Sequence, residues 1–389
     1  MNFQFSKAGP LSVVALTVVA LLGLQACSST LEEREEKGKP FPLPDFERKI
    51  SAKVVWRKKI GGGQGKLYNR LSLVALDNGV CAAAVGGSIA CYNSDGKKLW
   101  KKNVGVNLLA GVGIAGNLAL LVSEDGELIA LDKESGDQRW TKDLNREVLA
   151  PPTGNDEVMV VQNSEGLVFA LDSEGNDLWE FRSDEPLLTL RGTAAPVVDR
   201  KEVFTGFANG KVVSLSLDNG VPQWDQLVAI AKGTAEIGRI IDVDASPLLI
   251  DDAVYAASYN GNMFKFLRKT GRPLWRTELS TFHPLANGFG NIYAVDEKSR
   301  VLAVDVNRGE QRWENGLLLN RGLGAPQEFS GYLFSLDDKG YLHVFSQVDG
   351  TIVGRLKVSG SGTRVPMLTD GDHLYLYSNG GDLVAVQLR

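Results

Sequence analysis

The sequence predicts an all-β fold, an eight-bladed β-propeller of four-stranded antiparallel blades closed by pairing the N-terminal strand into the last blade. Three observations predict it: a phrase that recurs along the chain, a ladder of Trp residues at blade-sized steps, and an unfinished repeat at each end. The clearest copy of the phrase is Asp125-Gly126-Glu127-Leu128-Ile129-Ala130-Leu131-Asp132, followed by Gly136 and Trp140. An acidic-Gly turn leads into an apolar strand, a second Gly turn reverses it, and a short strand carries a Trp. The phrase returns as Glu165-Gly166 to Trp179, Asn209-Gly210 to Trp224, Asn260-Gly261 to Trp275 and Ser299-Arg300 to Trp313, and more weakly as Gly86-Gly87 to Trp100.

The ladder fixes the count. Trp56, Trp100, Trp140, Trp179, Trp224, Trp275 and Trp313 follow one another at steps of 44, 40, 39, 45, 51 and 38 residues, the period of a repeat architecture. An eighth register follows at Lys339 to Phe345, with Gly354 at the Trp position. The last turn, Gly380-Gly381, starts a strand Asp382 to Leu388 with no Trp strand after it, while Ala52 to Trp56 is a Trp strand with nothing before it. Pairing the two closes the ring and removes an exposed edge.

Residues 1–26 read as a lipoprotein signal peptide. Lys7 precedes an apolar run, Leu11 to Leu24, that is short for a bilayer span of about 20 residues. Leu24-Gln25-Ala26-Cys27 resembles the lipobox of bacterial lipoproteins, which implies cleavage and lipidation at Cys27. Ser28 stands where lipoproteins retained in the inner membrane carry Asp, so the resemblance implies the outer membrane, facing the periplasm. Residues 27–50 read as a flexible tether, because the charge run Glu32 to Lys37 and Pro40, Pro42 and Pro44 leave little to bury. Residues 51–389 show no break in composition and read as one propeller.

Composition narrows function by exclusion. A formal net charge of −5 and the lack of a basic-aromatic cluster argue against nucleic acid. His283, His343 and His373 have no metal-ligand spacing, and each reads as a loop or strand residue. Gly61 to Lys66 lacks the Ser/Thr ending of a phosphate loop and precedes no helix, so it reads as a linker. No nucleophile elbow occurs, no catalytic residues can be named, and no cofactor is expected.

Two connections stand out. From Trp to the Pro that opens the next blade takes 17 residues after Trp179 and 23 after Trp224, against 9 to 13 after Trp140, Trp275, Trp313 and the Trp-equivalent Gly354. Connections this long are usually functional, and their Leu and Ile content speaks against disorder; the competing reading is a cap folded back over the ring. Nearer the N-terminus, a three-residue loop at Val85-Gly86-Gly87 pairs Ala84 with Ser88, so counting back sets Cys81 opposite Cys91, within disulfide range. A shift of one residue would put the side chains on opposite faces and leave two reduced, buried Cys.

The Ala-Leu-Asp…Gly…Trp phrase resembles the repeat of quinoprotein propellers, found in pyrroloquinoline-quinone-dependent dehydrogenases and in the BamB family, lipoprotein subunits of the outer-membrane β-barrel assembly machinery. The dehydrogenase alternative fits less well: the chain lacks an adjacent Cys-Cys pair, is short, and carries a lipobox. Pro186 to Gly192 and Thr234 to Arg239, followed by Asp242-Val243-Asp244, resemble the BamB family specifically. That resemblance implies a non-enzymatic scaffold that binds the periplasmic repeats of the barrel-forming subunit and assists insertion of β-barrel proteins, with unfolded outer-membrane proteins as further partners. It implies a partner-binding patch of Leu188, Leu190 and Arg191 from the first long connection with Asp242 and Asp244 from the second.

Overall fold

The computed structural model describes residues 38–65, 69–184, 186, 192–229 and 240–389; the expected signal peptide, Cys27, Leu188, Leu190 and Arg191 lie outside the described residues. Among the described residues every regular element is a strand. Six sheets have four strands, and a seventh joins two four-stranded sets through a parallel contact between Thr153 and Ile114. The first set of that long sheet runs from Leu108–Ala115 to Gln138–Asp143 and the second from Thr153–Gly154 to Asp177–Arg182, each antiparallel and in chain order. One sheet breaks chain order: Ala52–Lys59 pairs antiparallel with Asp382–Leu388, setting Trp56 opposite Ala385.

The recurring phrase has a local reason at each letter. The Asp that ends the third strand folds the next turn with its own carboxylate: Asp132 Oδ1 accepts from the backbone N–H groups of Glu134 (3.0 Å) and Ser135 (2.9 Å). Asp305 does the same for Asn307 and Arg308, both at 2.8 Å, and these donors, with Arg312, hold its pKa down to about 2. The Gly after the Asp meets two demands. Gly136 has φ of 70°, and a Cβ there would lie 2.4 Å from the Trp100 ring of the preceding sheet. Gly220 stands in the same relation to Trp179, and Gly350 to Trp313.

Each Trp is thus a contact between consecutive sheets. Its indole N–H donates to a carbonyl of the following hairpin: Trp100 to Lys133 (3.0 Å), Trp179 to Leu217 (2.7 Å), Trp224 to Arg268 (2.7 Å) and Trp313 to Gln347 (3.0 Å). The apolar core follows the same plan, as a series of clusters shared by neighbouring sheets. One cluster combines Val80, Ala82 and Tyr92 near the start with Tyr375, Tyr377 and Leu383 near the end, and Tyr377 Oη donates to the Ala83 carbonyl at 2.8 Å.

In the first four-stranded sheet Cys81 faces Cys91 and the two are joined by a disulfide, their Cα atoms 4.1 Å apart.

The flexible tether expected over residues 27–50 needs correction, because its C-terminal part is docked. Phe41 N–H donates to the Leu319 carbonyl (2.9 Å), and Lys49 and Ile50 N–H donate to Val353 (2.9 and 3.2 Å). Arg321 Nη1 donates to the Phe41 carbonyl (2.9 Å) and Arg355 Nη2 to that of Pro44 (3.0 Å), while the Arg355 guanidinium lies 4.8 Å from the Phe46 ring centre. The reason lies at Gly354. It pairs with Val344, the register a Trp holds elsewhere, and Ile50 takes the space: a Cβ on Gly354 would come within 2.9 Å of Ile50 Cγ2. Arg321 is itself held by the buried Asp337, which also meets the buried His343 at 3.2 Å.

Candidate functional site

The two outsized connections leave the strands Asp177–Arg182 and Pro222–Leu227 and return at Val197–Asp199 and Leu248–Ile250. Their roots are tied to each other through the hairpin turn at 207–210, which lies between them. On one side the Asn209 amide donates to Ser183 Oγ (2.9 Å) and the Asp184 carbonyl (2.7 Å), at the start of the first connection. On the other, Val243 N–H donates to the Phe207 carbonyl (3.2 Å), at the end of the second.

The second connection is pinned from its far side as well. Tyr259 N–H donates to the Asp242 carbonyl (3.0 Å), and Asn260 Nδ2 donates to that of Ile240 (3.1 Å). Apolar contact completes the seating: Ile240, Ile241 and Val243 are buried, Val243 against Gly206 and Ile241 against Gly210. A cavity of about 180 Å³ remains between the two roots, lined by Gln162, Asn163, Thr193, Val243 and Asp244 among others.

Asp242 and Asp244 are not surface groups. Asp242 is fully buried and Asp244 is 5% exposed, so the acidic pair of the expected patch lies inside the root of the second connection. The physical reason is the seating just described, which turns residues 240–244 inward over the turn at 207–210. Burial raises the Asp244 pKa above the usual carboxylate range, and the nearby Arg70 guanidinium opposes that rise. The Asp244 carboxylate also touches the first connection: a Cβ on Gly192 would fall 2.0 Å from its Oδ2.

Arg70 was not singled out by the sequence. It sits on the short strand Arg70–Leu71, which runs parallel to Leu108–Ala115 and is fixed by the Gln64 side chain, an acceptor for Leu71 N–H (3.0 Å) and a donor to its carbonyl (2.8 Å). From there Arg70 Nη1 donates to the carbonyls of Thr193 (2.9 Å) and Asp244 (3.2 Å), one in each long connection. Separations of 123 and 174 residues leave no local pattern that could have announced these bonds. The same charge, after burial, depresses His283 to about 4, so that this imidazole is neutral near pH 7.

Comparison with known proteins places this geometry in a family. The family model described as outer membrane protein assembly factor BamB matches residues 85–315. A protein of that name from Pseudomonas aeruginosa is 37% identical, the match covering 98% of this chain and 99% of the relative. One from Shewanella oneidensis is 33% identical, covering 95% and 97%. Among solved structures, BamB from Moraxella catarrhalis superposes with a TM-score of 0.80 at 28% identity, over 87% of this chain and all of that one. A quinohemoprotein alcohol dehydrogenase from Comamonas testosteroni superposes at 0.68 with 13% identity, covering 87% of this chain and 76% of that one, a likeness of fold alone. Matched along almost its whole length, the chain belongs to the BamB family of outer membrane protein assembly factors.

Proposed function

We propose that this chain is a non-enzymatic scaffold of outer-membrane protein assembly, held by lipid at Cys27 to the outer membrane and facing the periplasm. The observation that carries the reading is the near-complete match to assembly factors of the same length. The disulfide between Cys81 and Cys91 suits an oxidising compartment such as the periplasm. In this reading the body is a closed ring of eight blades. Support comes from the repeated four-stranded sheets, the pairing of Ala52–Lys59 with Asp382–Leu388, and the apolar cluster shared by the first and last sheets.

The proposed partner is the barrel-forming subunit of the assembly machinery, met through its periplasmic repeats by the two long connections. Leu188 and Leu190 supply apolar area and Arg191 a bidentate donor. Asp242 and Asp244, being buried, shape the second connection from within. Replacing Leu190 and Arg191 together by Ala is expected to abolish co-purification of the barrel-forming subunit from membranes, with thermal stability near wild type. Undiminished co-purification by the folded double variant would remove these residues from the interface.

A further inference from the structure

We propose that Arg70 is a positioning residue that ties together the returning limbs of the two long connections, at Thr193 and at Asp244, ahead of partner binding. The inference deepens the proposed function and rests on its reading that both connections meet the partner. Arg70 is the point at which a distant part of the chain touches both. One nitrogen, Nη1, donates to the Thr193 carbonyl at 2.9 Å and to the Asp244 carbonyl at 3.2 Å. Thr193 lies in the returning limb of the first connection, directly after the stretch Pro186 to Gly192 that carries Leu188, Leu190 and Arg191, and Asp244 lies in the returning limb of the second.

The tie is built on a rigid support. Gln64 clamps both backbone groups of Leu71, and the Asn69 amide donates to the Leu108 carbonyl at 3.1 Å, so the strand that presents Arg70 is fixed on either side of it. The tie also has a matching contact on the side of the connections, since Gly192 leaves no room for a side chain between itself and the Asp244 carboxylate. Held this way, the described limbs around Thr193 and Asp244 keep one relative position before a partner arrives. Ordering that would otherwise have to be gained on association is already in place there. Neither Arg70 nor Gly192 needs to touch the partner.

The test titrates the full chain, purified from membranes in detergent, with the soluble periplasmic repeats of the barrel-forming subunit. Arg70→Ala is expected to weaken binding by about tenfold or more, with a melting temperature within a few degrees of wild type. Arg70→Lys, which keeps a donor but not the planar guanidinium, is expected to recover part of the loss. If Arg70 acts only through the connections, adding Arg70→Ala to Leu190→Ala costs less than the two single losses combined. Hydrogen exchange reads the tie with no partner present: amides at 192–194 and at 240–245 should both exchange faster in Arg70→Ala while the sheets stay protected.

Unchanged affinity in a folded Arg70→Ala protein, or faster exchange in neither or only one of the two segments, overturns the proposal. Should Arg70→Ala fail to fold, Gly192→Ala keeps Arg70 and wedges a methyl group between the connections; normal affinity there also overturns it. Failure of the functional reading looks different. In that case Leu190→Ala with Arg191→Ala leaves binding intact, whereas the exchange result at Arg70 still stands or falls by itself.

Discussion

At the scale of the residue, the indole rings are a recurring contact between neighbouring sheets. Trp224 is 7% exposed, lies between Phe204 (5.8 Å, centre to centre) and Phe266 (6.1 Å), and covers Gly271 of the next hairpin. Trp224→Ala is expected to lower stability by about 3–5 kcal/mol, the range for deleting a buried aromatic ring. Trp224→Phe keeps most of the apolar contact but strands the Arg268 carbonyl, at a cost of about 1–3 kcal/mol. Urea unfolding of the two variants checks both values, and a Trp224→Phe protein as stable as wild type would mean that the hydrogen bond contributes nothing. The Gly partners behave differently from ordinary turn glycines. Gly136 and Gly271 need positive φ and also face a ring, so both Ala and Asn are excluded there.

At the scale of the element, the segment 39–50 matters most. It is polar and Pro-rich, yet it follows the outer side of the sheet Gln327–Phe329 to Ile352–Lys357 and completes it where the Trp is missing. Phe46 and Ile50 bury apolar surface, and two Arg side chains hold carbonyls of the segment. Phe46→Ala combined with Arg355→Ala is expected to release it, with cleavage inside 39–50 by a nonspecific protease at concentrations that leave wild type intact. The body should keep a cooperative melt, because the sheets beside the segment retain their own pairing. Resistance equal to wild type would show that Phe46 and Arg355 are not what holds the segment. Docking from residue 39 onward leaves about a dozen residues between Cys27 and the docked part, a chain length that spans at most about 40 Å.

At the scale of the molecule, the chain ends are joined by a ladder of paired backbone. Seven register pairs link Ala52–Lys59 to Asp382–Leu388. Removing residues up to Ile60 would leave Asp382–Leu388 with an open edge and would uncover Tyr92 and Tyr375, which flank Trp56 at 6.1 and 5.8 Å. That truncation is expected to aggregate or to lose its cooperative transition, whereas truncation before Ser51 should stay monomeric and folded. Size-exclusion chromatography and thermal melts of the two truncated proteins compare them directly. A monomeric, cooperative product from the longer truncation would count against the N-terminal strand as the closing element.

The repeat was legible because each letter of the phrase answers a local demand: Asp for the turn, Gly for positive φ, apolar residues for the buried strand, Trp for the sheet that follows. Short-range rules therefore located the hairpins, the unfinished ends and the pairing of Cys81 with Cys91, which depends on a loop of three residues. They also located the two long connections, whose length needs no structure to measure. What they could not supply was the direction in which those connections fold. Nothing local places Asp242 and Asp244 inside or outside; seating of Ile241 and Val243 on the turn at 207–210 turns them inward. Segment 39–50 reads as free by composition, and only the gap beside Gly354 makes it dock. Arg70 reads as one Arg among many until the fold brings Thr193 and Asp244 to the same nitrogen. Sequence by itself determined what neighbours along the chain must do. Tertiary structure alone decided which distant backbone groups and which empty volumes each side chain would meet, because those depend on how the sheets are set against one another and not on any local pattern.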